Sequence, residues 1–169
     1  MKAFWEALRP GRKNRYAAFD GGRNLPQAIL LAALFFLGLW LSARYGGWGA
    51  ALYIVLWIVS YPVIYAGTCR YCAYYGKKCP IPLEGAWVHR FFPPAGKPFG
   101  PGQLFWALAA YVLRILVPVA AVITHGAYFS GLIFALLFIA FWVIHLRIAG
   151  CPNCINDACP MNPDHVSRM

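Results

Sequence analysis

The chain has 169 residues, of which 61% are hydrophobic and only 12% charged. That balance lies far from the soluble norm, and a single domain of this length cannot hide so much apolar surface in its own core. The formal net charge of +10 sits beside hydrophobic stretches, which points to anionic lipid headgroups and away from nucleic acid.

Residues 1–24 are basic, with Lys2, Arg9, Arg12, Lys13, Arg15 and Arg23 against Glu6 and Asp20. Phe4, Trp5 and Leu8 share one face of a helical turn, so this segment reads either as a short interfacial helix ending at Pro10-Gly11 or as a basic tail. The polar lead and the apolar stretch after it are both too long for a cleaved signal peptide.

Residues 25–68 predict a first transmembrane hairpin. Leu25 to Ala43 is uncharged and long enough to cross, Arg44-Tyr45-Gly46-Gly47 is a tight turn, and Trp48 to about Thr68 returns. Residues 69–102 form a connector rich in Pro and Gly. Its Gly85–Gly102 part, with Phe91-Phe92-Pro93-Pro94, reads as a loop lying on the membrane or as a partner-docking segment. Residues 103–148 predict a second hairpin, turning at His125-Gly126-Ala127, and residues 149–169 form a tail. The expected fold is therefore an all-α integral membrane bundle of four transmembrane helices, arranged as two antiparallel hairpins with a Cys-rich cap. Trp40, Trp48, Trp106 and Trp142 suit interfacial belts or packing.

Both outer turns are too short to hold a domain, so both cysteine stretches belong on the side of the N-terminus. Of the 15 Lys and Arg residues, all but Arg44 and Arg114 lie in the segments of that side. The positive-inside rule then places both termini and all the cysteines in the cytoplasm of a cell with this protein in its inner (plasma) membrane.

The 6 cysteines fall in two similar stretches. Cys69-Arg-Tyr-Cys72 is followed by Cys79-Pro80, and Cys151-Pro-Asn-Cys154 by Cys159-Pro160; each stretch has Ala-Gly just upstream. Hairpin, CxxC and Cys-Pro thus recur in the same direction, as a parallel duplication would leave them. A reducing compartment disfavours structural disulfides, and clustered thiols there bind metal or do redox work.

Three ligand sets are open. Cys69, Cys72, Cys151 and Cys154 would make a four-thiolate zinc or iron site if the hairpins pack side by side. Cys151, Cys154, Cys159 and His165 have zinc-like spacing within the tail, with Cys69, Cys72, Cys79 and His89 as a looser counterpart. Three cysteines of one stretch with one of the other would suit an iron–sulfur cluster, and proline after the last cysteine recurs in ferredoxin-type runs.

Arg114 lies about eleven residues into its span, roughly 16 Å deep at the helical rise, where an unpaired charge is costly. All five acids, Glu84 among them, fall outside the spans. Expected partners are therefore backbone carbonyls, that of Ile58 above all because Pro62 cannot donate to it, Tyr or Ser hydroxyls, water, or a lipid or quinone headgroup. His145 lies near the inner end of the fourth span, as a proton relay, a haem ligand or an interfacial cap; with His125 at the opposite surface, no haem is predicted.

Four spans with paired cysteines resemble quinone-linked disulfide-generating membrane enzymes, whose thiols work on the exoplasmic side. Cys-Pro motifs beside membrane helices resemble those of quinol-oxidising membrane subunits with cytoplasmic cysteine motifs. These resemblances cover the span count and the dipeptides, and no family is assigned. The expected function is iron or iron–sulfur electron transfer linked to the membrane, with other subunits of a redox complex as partners. A structural zinc site in an assembly factor, a thiol–disulfide enzyme and a soft-metal transporter are the alternatives. No phosphate loop, HExxH or Ser/His/Asp arrangement is present.

Overall fold

The structure, a computed structural model, describes residues 10–165; the expected interfacial turn at residues 4–8 lies outside them. The described residues contain helices, turns and bends and no strand. The long helices are α1 (Leu25–Ser42), α2 (Gly47–Gly67), α4 (Pro101–His125) and α5 (Tyr128–Val143), with a single short turn α3 (Glu84–Trp87) in the connector.

Each long helix begins and ends where local chemistry dictates. Pro lies in the first turn of α1, where a missing N–H costs nothing. In α4, Pro101 opens the helix and the Gln103 side chain accepts the Gly100 N–H at 2.8 Å. Gly126 closes it in the left-handed region (φ 64), donating its N–H to the Val122 carbonyl. Four stretches, 22–45, 47–71, 101–125 and 128–153, are long and apolar enough to cross a membrane. Each presents an outward apolar face, including Ile29, Phe36, Leu52, Val55, Phe105, Leu116, Leu132 and Ile139. Water would make such a surface an aggregation site; lipid makes it ordinary. This is a multi-pass membrane protein of four helices.

The hairpins interlock. α2 packs most extensively on α4, while α1 packs on α5 and on α4. The core is Leu31, Leu34 and Leu41 of α1, Tyr53, Trp57 and Ile64 of α2, Ala110, Tyr111 and Val117 of α4, and Phe134 and Phe141 of α5. α2 runs into a short 3-10 turn at Cys69–Tyr71, and α5 passes through a π-helical segment (Ile144–Ala149) into a 3-10 turn at Cys151–Asn153. Both cysteine stretches therefore emerge at the same end of the bundle.

One expectation is overturned here. Glu84 lies outside the spans in sequence, but α3 dips into the bundle and buries it, leaving 5% of its surface exposed. Its Oε1 accepts from Arg114 Nη1 at 3.4 Å and from the Tyr111 hydroxyl at 3.2 Å. Arg114, 2% exposed, also donates through Nε to Ser60 Oγ at 2.8 Å. It is thus held by Glu84 and Ser60 and not by the Ile58 carbonyl. The rings of Trp57, Tyr61 and Tyr111 surround its guanidinium at 5.1, 4.8 and 4.6 Å. Sequence distance hid the partner: the acid is thirty positions away, on a connector that read as membrane-hugging. Burial pushes the Glu84 carboxyl up and Arg114 opposes it.

Removing one member of such a pair strands the other charge in low dielectric, at a cost of about 3–5 kcal/mol. Arg114→Leu and Glu84→Leu should each lower the unfolding midpoint in detergent sharply. The double variant should recover much of the loss, because no charge is left unpaired. A double variant no more stable than the singles would show that the two residues are not coupled.

Candidate functional site: a six-thiol cavity

The two cysteine stretches adopt one local backbone. In each, the second cysteine's N–H bonds the carbonyl of the first (Cys72 to Cys69 at 3.1 Å, Cys154 to Cys151 at 3.2 Å). In each, the second cysteine is extended, at φ −85, ψ 148 for Cys72 and φ −80, ψ 140 for Cys154. The duplication legible in sequence is therefore a duplication of local structure around the thiols.

Cys69, Cys72, Cys79, Cys151, Cys154 and Cys159 all line one cavity of about 210 Å³ at the end of the bundle where the two stretches emerge. All six are free thiols. Apolar side chains such as Ile64, Phe99, Leu104 and Met161 fill the walls between them, and Glu84 and His145 also line it. The stretches meet through Asn156, whose backbone N–H reaches Cys154 Sγ at 3.4 Å and whose side-chain amide reaches Cys72 Sγ at 3.5 Å. Among the described residues no three His, Cys, Asp or Glu side chains converge closely enough to hold one ion. The sulfurs surround a space and do not meet at a point.

Backbone donors address the sulfurs. The N–H groups of Tyr74 and Ala73 are directed at Cys72, those of Met161 and Asn162 at Cys159, and that of Gly85 at Cys79 Sγ at 3.3 Å. The last contact needs glycine: a Cβ on residue 85 would lie 2.6 Å from the Lys77 carbonyl oxygen and 3.1 Å from Cys79 Cβ. Burial opposes these donors. It pushes the Cys72 and Cys159 thiols up to about 12, and raises Cys79 and Cys154 as well. Left to themselves the thiols stay protonated, and Cys79 Sγ donates to the Ile81 carbonyl at 2.8 Å. A cationic occupant would reverse that balance, because metal ligation deprotonates thiols and the N–H donors then stabilise the thiolates.

The other expected site residues are distributed as follows. His145, on the π-helical segment, lines the cavity, and its Nδ1 is buried with no partner among the described residues; π-turns often mark functional sites. Its ring is stacked against Phe141 at 6.3 Å. His165 lies away from the cavity lining, with Nδ1 3.1 Å from the Asp157 carbonyl. Arg114 does not line the cavity but is joined to it through Glu84, a lining residue that sequence reasoning left outside the site. A lone Glu four residues beyond Cys-Pro carries no periodic signal that could have placed it.

The basic N-terminal segment holds the cap shut. Its backbone runs along the tail, Lys13 and Tyr16 donating to the Pro152 and Asn153 carbonyls at 3.0 Å each, and Phe19 to the Lys78 carbonyl at 2.9 Å. Arg12 donates to the Cys154 carbonyl at 2.7 Å, Asn162 Oδ1 at 2.8 Å and Asp164 Oδ2 at 2.6 Å. Phe19, 1% exposed, packs on the Tyr74 ring at 5.6 Å. One strap therefore ties both cysteine stretches together.

No family model, no curated protein and no solved structure matches this chain. The fold and site together define a class: a four-helix membrane protein with a thiol-lined cavity at one end.

The strap yields a pH prediction. Hydrogen bonding from Arg12 holds the Asp164 carboxyl below the usual carboxylate range. A depressed pKa means the contact is fully present above the ordinary carboxylate pKa and is lost as pH falls through the lowered one. Protease cleavage within residues 10–20 should therefore accelerate below about pH 4, the ordinary carboxylate range. Asp164→Asn should show the faster rate already at neutral pH, and equal rates for variant and wild type would contradict this role of Arg12–Asp164.

Proposed function

We propose that this protein binds an iron–sulfur cluster or iron in the six-thiol cavity and passes electrons between that centre and the membrane. The observation that carries the reading is the convergence of all six cysteines, from two stretches about eighty residues apart in the chain, on one apolar cavity. Sulfurs spread around a space of about 210 Å³ suit a polynuclear cluster better than a lone ion. Backbone N–H groups directed at Cys72, Cys79 and Cys159 match what a cluster's thiolates need. The unpartnered Nδ1 of His145 offers a further ligand or hydrogen-bonding atom.

The residues that would hold the centre are drawn from Cys69, Cys72, Cys79, Cys151, Cys154 and Cys159. The bound group would supply one-electron chemistry. The chain supplies the rest: apolar walls that exclude water, the strap of residues 10–20 that covers the tail, and the Glu84–Arg114 pair. That pair is neutral as a unit, so it adds little net field at the cavity while placing a titratable carboxyl on its wall.

The basic residues around the cap, Arg12, Lys13, Arg15, Lys77, Lys78 and Arg90 among them, support a cap on the cytoplasmic side of an inner membrane. Anionic lipids are the partners this surface invites, and a larger redox complex is the natural source of electrons.

Anaerobic purification followed by metal and sulfide analysis tests the reading. The expected result is a brown protein with stoichiometric iron and acid-labile sulfide, whose visible absorbance bleaches on reduction. Changing Cys72 and Cys154 together to Ala should abolish the colour. A colourless protein with stoichiometric zinc would instead make the cap a structural staple. A metal-free protein whose gel mobility changes on oxidation would make it a dithiol enzyme.

A further inference from the structure

A second concavity lies on the outer face of α2, where the connector folds back against the helix. It is a groove of about 490 Å³ lined by Ile58, Tyr61, Pro62, Tyr65, Leu83 and Trp87, with Phe91 and Phe92 beyond. We propose that this groove binds the headgroup of a membrane quinone. This deepens the reading above, since it names the carrier with which the thiol cavity would exchange electrons, but the binding itself does not depend on the metal.

The walls are flat and aromatic. Tyr65 and Phe91 are stacked, with ring centroids 5.9 Å apart and planes 19° from parallel. Ile58 is 60% exposed and Leu83 51%, so the groove is open along an apolar side that a bilayer-dissolved tail can follow. No lining residue is charged. Arg90 lies over the lining Trp87 ring at 4.7 Å and is the cation a phosphate headgroup would use, whereas a neutral ring needs no counter-ion.

The groove also carries one acceptor and one donor, a turn apart on the same helix. Pro62 lies inside α2 and has no N–H, so the Ile58 carbonyl lacks its helical donor. The Tyr61 hydroxyl donates to no protein acceptor among the described residues, while the Trp57 indole supplies its partner on the other side. Residues 58 and 61 lie on one face, as i and i+3 neighbours do. A quinone needs a donor for its carbonyl, and a quinol needs an acceptor for its hydroxyl. This pair provides both.

The groove and the thiol cavity share a wall. Leu83 lines the groove and Glu84, the next residue, lines the cavity. Leu83 is the only non-glycine residue with positive φ (68) among the described residues, a conformation sparsely used by side-chain-bearing residues. The Tyr65 hydroxyl fixes it by donating to the Leu83 carbonyl at 2.7 Å. Behind Tyr61, its ring 4.8 Å from the guanidinium, lies Arg114. The arrangement keeps the charged pair off the groove while holding the connector against α2.

The test uses the purified full-length protein in phosphatidylcholine nanodiscs, titrated with a short-chain ubiquinone and followed by tryptophan fluorescence. Saturable quenching is expected, with most of its amplitude lost in Trp87→Phe. Tyr61→Phe and Pro62→Ala, which remove the donor and re-occupy the carbonyl, should each weaken binding about tenfold, with metal content unchanged. A photoreactive quinone should label residues 58–65 or 83–92. Non-saturable quenching, unchanged affinity in both variants, or labelling confined to other segments would overturn the proposal and leave the groove as a seat for lipid chains. Metal analysis of the same sample reads the cavity separately, so an iron-free protein that still binds quinone would sink the electron-transfer reading alone.

Discussion

The structure depends on one buried ion pair. Arg114 lies deep in the bundle, where an uncompensated guanidinium would be intolerable, and among the described residues the acid that reaches it is Glu84. To deliver that carboxylate, the connector must turn inward after Cys79. The inward turn then fixes much else. It sets Gly85 against Cys79, positions Leu83 against Tyr65, and closes one side of the thiol cavity. A charge that looks like a burden on the membrane helix thus specifies where a long, irregular segment must go. Its aromatic neighbours Trp57, Tyr61 and Tyr111 add cation–π attraction and shield the pair from lipid.

The cap is built on the opposite logic. Its contacts are mostly backbone hydrogen bonds and surface polar contacts, contributed by three segments that are far apart in sequence. Residues 10–20 cross both cysteine stretches, and Arg12 gathers the tail by three separate acceptors. Such a cap closes around a cavity with only a small apolar core of its own, in which Phe19, Tyr74, Ile81 and Met161 are buried. It is suited to enclosing something that adds binding energy, as metal centres do when they couple to folding.

The two concavities face different media. The thiol cavity lies at the bundle end, and the groove opens along the lipid-facing side of α2. They are separated by the single turn around Leu83 and Glu84. An electron carrier in the membrane and a redox centre in the cap would thus be neighbours without sharing a compartment, with a titratable carboxyl on the cap side of the wall.

The sequence by itself determined the membrane architecture. Four apolar runs of helical length, the third interrupted only by Arg114, leave the backbone no other way to satisfy its hydrogen bonds in lipid, and two short outer turns force both cysteine stretches to the same end. The likeness of those stretches was also legible, because a CxxC turn is a local structure set by neighbouring residues. The tertiary structure alone decided what depends on distant segments meeting. It brought the cysteines around one cavity, left His165 out of that lining, folded the basic N-terminal segment across the tail and carried Glu84 to Arg114. Periodicity reports which face of a helix is apolar, and it holds no record of where an irregular connector returns. That is why no acid was expected beside the buried arginine, and why, besides the Ser60 hydroxyl, it is met by a carboxylate thirty positions away.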